Sequence, residues 1–364
     1  MRILSATEAI SPAIARTKLI LFKPFRPGRT WKLAATGYLG GMSSVFLPFP
    51  LIYLICIPIF RRADAPSSVI TALVITVAVM MTIYLAIFYL GSRLRFAFFD
   101  IVLHRGEFVA PAWTKYGTQS GKWTLFKLAV GLVFLSLLAI PLYPIAQTLI
   151  ATFTSIHFVQ GQDPPPAFMG ALFTVYGLFF ALYIVIGLFA LANSLMSDFI
   201  VPSLALENTT LAEAFHRLGR LLRNEPGAVC FYALMKFVLF LAGGMAVGIL
   251  FYVFLFAVLL VAAILGGIGY FLLHLLHVPQ DVMIVLAIIA GIALYLFVFI
   301  YGMFLANGTL YTMIESYAMY FLGGRYPLLG NLLDRSTPPP DTLPIAPRSG
   351  YVPLSPAPPA TNTP

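Results

Sequence analysis

The sequence predicts an all-α protein, a polytopic bundle of six transmembrane helices, and three observations support this prediction. The 364 residues are 60% hydrophobic, with a mean hydropathy of +0.93, whereas an ordinary soluble domain is about one half apolar. Several nearly uncharged runs reach the length of about 20 residues that a helix needs to cross a bilayer. The aromatic content of 15% fits helices that meet lipid tails and the headgroup boundary.

Six apolar stretches can form spanning helices, because a helix satisfies its backbone hydrogen bonds internally where no water is present. The predicted spans cover about residues 33–60, 68–90, 125–153, 168–196, 228–265 and 282–306. The fifth stretch is longer than a bilayer requires, so we expect a bend near Gly243 and Gly244 or an overhang outside the membrane. Lys236 lies within this stretch and is expected to extend its amine to the headgroups, which costs less than a buried pair.

The spans divide the chain into three parts. Residues 1–32 form a basic amphipathic segment, residues 33–333 form the six-span membrane domain, and residues 334–364 form a tail. Ten of the last 29 residues are prolines, a composition that predicts an extended, disordered tail.

Basic residues concentrate on one side of the predicted spans. Twenty of the 22 Lys and Arg residues lie before the first span, in or near the links after the second and fourth spans, or after the sixth; the two exceptions are Arg61 and Arg62. The positive-inside rule therefore predicts that both termini are cytoplasmic. The net charge of +9 indicates topology and attraction to anionic lipid, and gives no reason to propose nucleic acid as a partner.

A charged stretch between the fourth and fifth spans, "SDFIVPSLALENTTLAEAFHRLGRLLRNEPG" at 197–227, predicts a surface helix. Thr210 and Glu213 have the spacing of a capping box. Apolar and basic residues then follow helical spacing: the apolar face has Leu211, Phe215, Leu218 and Leu222, and the bases are Arg217, Arg220 and Arg223. Two interpretations stay open. The helix lies in the membrane interface with its bases toward anionic headgroups, or it is a connector packed beneath the bundle.

Similar segments recur after the even-numbered spans. "VAPAWTKYG" at 109–117 matches the pattern of "LAEAFHRLG" at 211–219, and an acid follows each even span: Asp100, Asp198 and Glu315. We interpret this as three hairpin-like repeats, each followed by a cytoplasmic surface element. The three acids fall near the predicted cytoplasmic boundary, where Arg95 or water can neutralise them. They are therefore predicted to be structural latches and not proton relays.

Motifs for catalysis or metal binding are sparse. His274, His277 and Asp281 in "HLLHVPQD" are a weak candidate for a metal site, and interfacial side chains are the favoured interpretation, so no metal and no cofactor is predicted. The G-x-x-x-G matches at 37–41 and 244–248 allow close helix approach. Packing inside one chain is the favoured interpretation of these glycines, and a homodimer face is the alternative.

Four segments together carry a family resemblance: "ISPAIARTKLILFKPFRPGRTWKLA", "FFDIVLHRGEFVAPAWTKYG", "DFIVPSLALENTTLAEAFHRL" and "YFLGGRYPLLGNLL". Over about residues 10–333 the chain resembles a family of uncharacterised bacterial six-span membrane proteins. That family is distantly similar to the membrane domain accompanying some glycerophosphodiester phosphodiesterases. The resemblance implies a helical membrane fold in the bacterial inner (plasma) membrane. It implies no catalytic residue, since the phosphodiesterase barrel with its acidic metal ligands does not occur in this sequence.

Three classes of function are compatible with these features. The favoured one is a membrane protein without a catalytic site that organises anionic lipids or partner proteins through its cytoplasmic surface helices. The first alternative is a transporter or flippase-like carrier, for which the repeats and the helix-breaking prolines Pro141 and Pro144 speak. The second is a membrane enzyme built on the weak His/Asp cluster.

Overall fold

The computed structural model describes residues 2–23, 25–43, 66–106, 108–155 and 166–336. Within these ranges all regular secondary structure is α-helical, which confirms the predicted all-α class. The helices in chain order are α1 (Ile10–Phe22), α2 (Pro27–Met42), α3 (Ser67–His104), α4 (Val109–Lys115), α5 (Gly117–Ser155), α6 (Pro166–Glu207), α7 (Leu211–Asn224), α8 (Pro226–Leu275), α9 (Gln280–Gly323) and α10 (Pro327–Ser336).

Five of the helices in the described ranges are long and apolar enough to cross a membrane, namely α3, α5, α6, α8 and α9. They contain the predicted second to sixth spans. The predicted first span, 33–60, begins inside α2, and its remainder lies outside the described residues. A multi-pass helical membrane protein is thereby supported by the structure, and the sixth crossing stays a prediction.

The long helices continue well beyond the predicted apolar runs. Helix α8 is a single run of 50 residues, about 75 Å at 1.5 Å per residue, and it continues through Gly243 and Gly244 without interruption. Helices α3, α6 and α9 likewise extend past their apolar runs into segments that pack against α4, α7 and α10. Each long helix therefore has an apolar part and a second part that belongs to a packed protein core.

The hydrophobic core lies at one end of the bundle, which we call the polar end: α1, α4, α7 and α10 with the adjoining ends of the five long helices. Its largest fully buried side chains include Phe96, Phe99, Trp123, Tyr232 and Phe321. In contrast, the most apolar 18-residue windows of the five long helices are only 0–22% buried. Apolar side chains that face outward over such lengths are expected of helices surrounded by lipid.

Helix α2 packs very closely against α9 through glycines. A Cβ atom added to Gly308 would lie 2.0 Å from the carbonyl oxygen of Ala34, and one added to Gly41 would lie 2.1 Å from the Tyr311 ring. The glycines at 37–41 therefore serve packing inside one chain, as predicted. At Gly244 and Gly248 an added Cβ would meet nothing described within 4 Å, so the second motif has no such role in the described part of the chain.

The predicted start of helix α7 is confirmed. The Glu213 backbone N–H donates to Thr210 Oγ1 at 3.3 Å, and the Thr210 N–H donates to Glu213 Oε2 at 3.0 Å, which completes the capping box. Because these bonds satisfy backbone donors that the first turn leaves unpaired, α7 begins at Leu211 with a fixed direction. This direction sets which of its side chains face the bundle.

Candidate functional site

Four charged side chains from four long helices meet in one buried network. Arg95 of α3 lies with its Nη2 atom 3.1 Å from Asp198 Oδ1 of α6, and its Nη1 atom contacts the Glu315 carboxylate of α9. The amine of Lys236, from α8, contacts the other oxygen of Asp198. All four side chains are only 1–6% exposed. The structure thus brings two of the predicted acids together through one arginine.

Hydrogen bonds from and to two neutral side chains, Tyr232 and Ser194, complete the network. Tyr232 Oη donates to Asp198 Oδ2 at 2.7 Å, and Lys236 Nζ donates to Ser194 Oγ at 2.7 Å. Two bases and two acids leave the network without net charge, which is the condition under which buried charges are tolerated. The expectation that Lys236 extends to the headgroups is wrong, because a fixed carboxylate within reach replaces the water that the amine would otherwise seek.

Asp100 lies apart from this network, in a group at the end of α3. Its Oδ1 atom accepts from Tyr116 Oη at 2.6 Å and from Lys115 Nζ at 3.0 Å, and His104 Nδ1 lies 3.4 Å away. Burial raises the pKa of Tyr116 to about 12, and its bond to Asp100 acts in the same direction, so the phenol remains a donor at neutral pH. Asp100 therefore ties α3 to the short helix α4.

A cleft of about 390 Å³ opens between α7 and the adjoining ends of α6 and α9, and we call it the arginine cleft. Its basic side chains are Arg217, Arg220 and Arg325. The other lining residues are Phe199, Pro202, Ser203, Leu218, Leu221, Asn224, Leu322 and Tyr326. The lining of the cleft therefore combines apolar side chains with three cationic ones.

Two of the three arginines in this cleft already have carboxylate partners. Arg217 pairs with Glu207, which raises the pKa of the guanidinium, and Glu207 also accepts from Tyr326 Oη at 2.6 Å. Arg325 Nε donates to Glu225 Oε2 at 2.8 Å. Within the described ranges no carboxylate pairs with Arg220, which is exposed. The cleft therefore keeps one positive charge in excess.

The apolar face of α7 lies against protein. Ala214 is buried, and Leu211, Phe215, Leu218 and Leu221 pack against the core, with the Phe215 ring 5.0 Å from that of Phe126. Of the two interpretations, this packing favours the connector held against the bundle, since the apolar residues find partners there. Leu222 remains 44% exposed. Of the predicted lipid-facing bases, Arg217 and Arg220 line the cleft, and Arg223 is exposed outside it.

The weak metal candidate is not assembled. His274 lies in the last turn of α8, His277 follows the helix with a positive φ of 57°, and Asp281 is in the first turn of α9. Among the described residues no group of three or more His, Cys, Asp or Glu side chains could hold a metal ion. The His274 ring instead stacks on Tyr270.

Sequence reasoning missed Arg16, a buried base of α1. It is 2% exposed, and its Nε and Nη2 atoms donate to the carbonyl oxygens of Val102 and Leu103 at 2.8 and 2.6 Å. Burial lowers its pKa, and the charge of Arg105 acts in the same direction. Arg16 lies among seven bases that precede the first predicted span, and nothing in its spacing separates it from the exposed ones.

Comparison with known proteins adds the family. A model of a family of unknown function, DUF7544, matches residues 4–332. The chain belongs to this family. The match covers the segments that line the arginine cleft and the buried network, so these two features lie inside the family's shared region. No curated protein and no solved structure matches the chain.

Proposed function

We propose that this protein is a non-catalytic membrane component that holds anionic phospholipid at its polar end. The observation that supports the proposal is the arginine cleft, whose lining combines arginines with apolar side chains. A phospholipid headgroup with the upper part of its acyl chains has the same two-part chemistry. The excess charge at Arg220 suits a single phosphate, and each such base contributes about 1 kcal/mol near an anionic surface.

The position of the cleft relative to the bilayer suits a lipid headgroup. The buried network lies where the apolar runs of α3 and α6 end, so it gives a common level for both helices. Residues 199–203 of α6 follow Asp198 by one to five positions, roughly 2–8 Å along the helix. A bilayer's headgroup layer is about 5–8 Å thick on each side. Headgroup phosphates and the cleft would therefore lie at similar depth.

The orientation belongs to the same proposal. The polar end would face the cytoplasm of a bacterial cell, because the basic links concentrate there and cytoplasmic loops are enriched in Lys and Arg. The anionic lipid would then come from the inner leaflet of the inner membrane. Helix α7 contributes through Arg217 and Arg220, which line the cleft, while its apolar face is held by the bundle.

Lipid retention in native mass spectrometry tests the proposal on the full-length chain. The protein would be released from nanodiscs containing phosphatidylglycerol and phosphatidylethanolamine, and the retained lipids would be counted. We expect selective retention of phosphatidylglycerol, reduced in Arg220→Gln and unchanged in Arg223→Gln. Arg223 is the matched control because it is an exposed base on the same helix outside the cleft. Equal retention of both lipids, or equal loss in both variants, would refute the cleft as a lipid site.

A further inference from the structure

A second basic cleft, of about 360 Å³, lies elsewhere at the polar end. Its lining residues are Leu19, Lys23, Arg29, His104, Arg105, Arg335 and Ser336. Four of these seven residues are Lys or Arg, and none is Asp or Glu. In contrast to the arginine cleft, this lining has a single large apolar side chain. It is therefore a site for a polar anion.

Three helix ends and Arg29 of α2 build the second basic cleft, and a buried arginine holds the three helix ends in place. Lys23 follows α1, His104 and Arg105 end α3, and Ser336 ends α10. From beneath, Arg16 donates to the carbonyl oxygen of Leu103 at 2.6 Å and to Ser336 Oγ at 2.8 Å. Because these bonds join α1, α3 and α10, the walls keep their geometry without a ligand.

The positive charge of this cleft exceeds what its helix ends can neutralise. Each helix C-terminus carries about half a negative charge, so three of them offset less than two of the four Lys and Arg charges. In the part of the chain that the structure describes, no carboxylate forms an ion pair with Lys23, Arg105 or Arg335. Asp100 is occupied by Lys115 and Tyr116. Lys23, Arg105 and Arg335 alone thus leave the cleft with more positive charge than the three helix ends offset.

We propose that the second basic cleft binds the phosphate group of a water-soluble anionic small molecule. Guanidinium groups from two helices, at Arg105 and Arg335, present paired N–H donors that match phosphate oxygens, and Lys23 adds a point charge. The volume lies within the range of about 300–1,000 Å³ found for small-molecule sites.

The distance of this cleft from the buried network favours a soluble ligand over a lipid headgroup. His104 follows Arg95 by nine positions, so it lies about 14 Å beyond the buried network along α3. The headgroup layer extends only about 5–8 Å. A phosphate whose acyl chains remain in the bilayer would therefore not reach this cleft. The site is formed by α1, α2, α3 and α10 and shares no residue with the arginine cleft, so it is independent of the lipid proposal.

Calorimetric titration tests this inference on the full-length protein in nanodiscs of zwitterionic phosphatidylcholine. Pyrophosphate is the probe, with sodium chloride of equal ionic strength as the reference titrant. We expect saturable binding that weakens about tenfold or more in Lys23→Gln/Arg335→Gln, and less in each single variant. Both side chains are exposed, so these changes leave the packed core intact.

The other cleft provides the matched control. Arg220→Gln/Arg223→Gln removes the same number of charges from α7 and should leave pyrophosphate binding unchanged. An absence of saturable binding, or an equal loss in both double variants, would overturn the site. Loss of pyrophosphate binding when phosphatidic acid is added to the nanodiscs would assign the cleft to a lipid headgroup and overturn the soluble ligand. Lipid retention at the arginine cleft is tested separately, with Arg220→Gln. Failure of either proposal therefore leaves the measurement that tests the other one valid.

Discussion

Arg95 Nη2 lies 3.1 Å from Asp198 Oδ1, although 103 residues separate them in the chain. The same guanidinium contacts Glu315, and the same carboxylate contacts Lys236. Helices α3, α6, α8 and α9 are therefore joined at one level by a neutral set of charges. Removing one member leaves an opposite charge buried without its partner, and that imbalance costs more than the original pair contributed.

Asp198→Asn is predicted to destabilise the protein by about 3–5 kcal/mol, because Arg95 and Lys236 then share the single carboxylate of Glu315. The substitution preserves side-chain volume, so a cavity does not contribute. Unfolding of the purified protein in mixed detergent micelles measures the change. Adding Lys236→Met restores the balance of charge and should recover part of the lost stability.

Asp100→Asn is the matched control for that experiment. Asp100 also accepts from a lysine and a tyrosine, but its side chain is 17% exposed and solvent screens its pair. We expect a loss of about 1 kcal/mol or less. If Asp100→Asn proves as destabilising as Asp198→Asn, burial of the network is not what makes it costly to break.

Gly308→Ala is predicted to disrupt the packing of α2 on α9. The added methyl group would lie 2.0 Å from the carbonyl oxygen of Ala34, and backbone cannot move aside as a side chain can. Overpacking of this kind costs about 1–3 kcal/mol or more. The expected result is a lower thermal midpoint and faster hydrogen exchange in residues 27–42.

Gly291→Ala provides the comparison on the same helix. An added Cβ there meets nothing within 4 Å, and alanine favours the helix over glycine by about 1 kcal/mol. Its thermal midpoint should equal or exceed that of the parent chain. A similar loss in both variants would show that the close approach of α2 to α9 does not exist in the membrane.

Thr210→Ala is predicted to loosen α7 locally. The substitution removes the oxygen that accepts from the Glu213 N–H, and loss of such a cap costs about 1 kcal/mol. Hydrogen exchange should become about fivefold faster in residues 211–216, where it proceeds by local opening. Thr209→Ala, one residue earlier, is the control, since its hydroxyl donates to the Ser203 carbonyl. Equal effects of the two substitutions would argue against the capping box.

The sequence predicts features whose interacting residues are close in the chain. Thr210 and Glu213 are three residues apart, and helical spacing alone brings them together. Lys236 is different, because its partner Asp198 lies 38 positions earlier on another helix. From sequence, a lone amine in an apolar run has either a headgroup or a distant acid as its partner, and periodicity does not distinguish them. The same holds for the face of α7, whose apolar residues fit protein as well as lipid.

The two clefts show the same limit. The arginine cleft takes its bases from two segments, α7 and the residues that follow α9, and the second basic cleft takes its bases from four. From the sequence, Arg217, Arg220 and Arg223 are predicted to act together because they share one helix. The structure groups Arg217 and Arg220 with Arg325, since tertiary packing and not spacing decides which charges share a cavity. The number of bases in each link can be counted from the sequence, but the sequence does not identify the partners of those bases.

Reporter fusions test both the fold and the orientation. Ala112 of α4, Ala214 of α7 and Leu333 of α10 belong to one hydrophobic core, so fusions near residues 115, 220 and 345 should report the same side. Helices α5 and α6 pack as one pair and α8 and α9 as another, with their ends at 155, 166 and 275 away from that core, so fusions near residues 160 and 275 should report the opposite side. From the distribution of basic residues we expect 115, 220 and 345 inside and 160 and 275 outside. Different sides for 115 and 220 would contradict the packed core itself. A uniform reversal would leave the fold intact and contradict only the orientation, and it would move the arginine cleft to the outer leaflet.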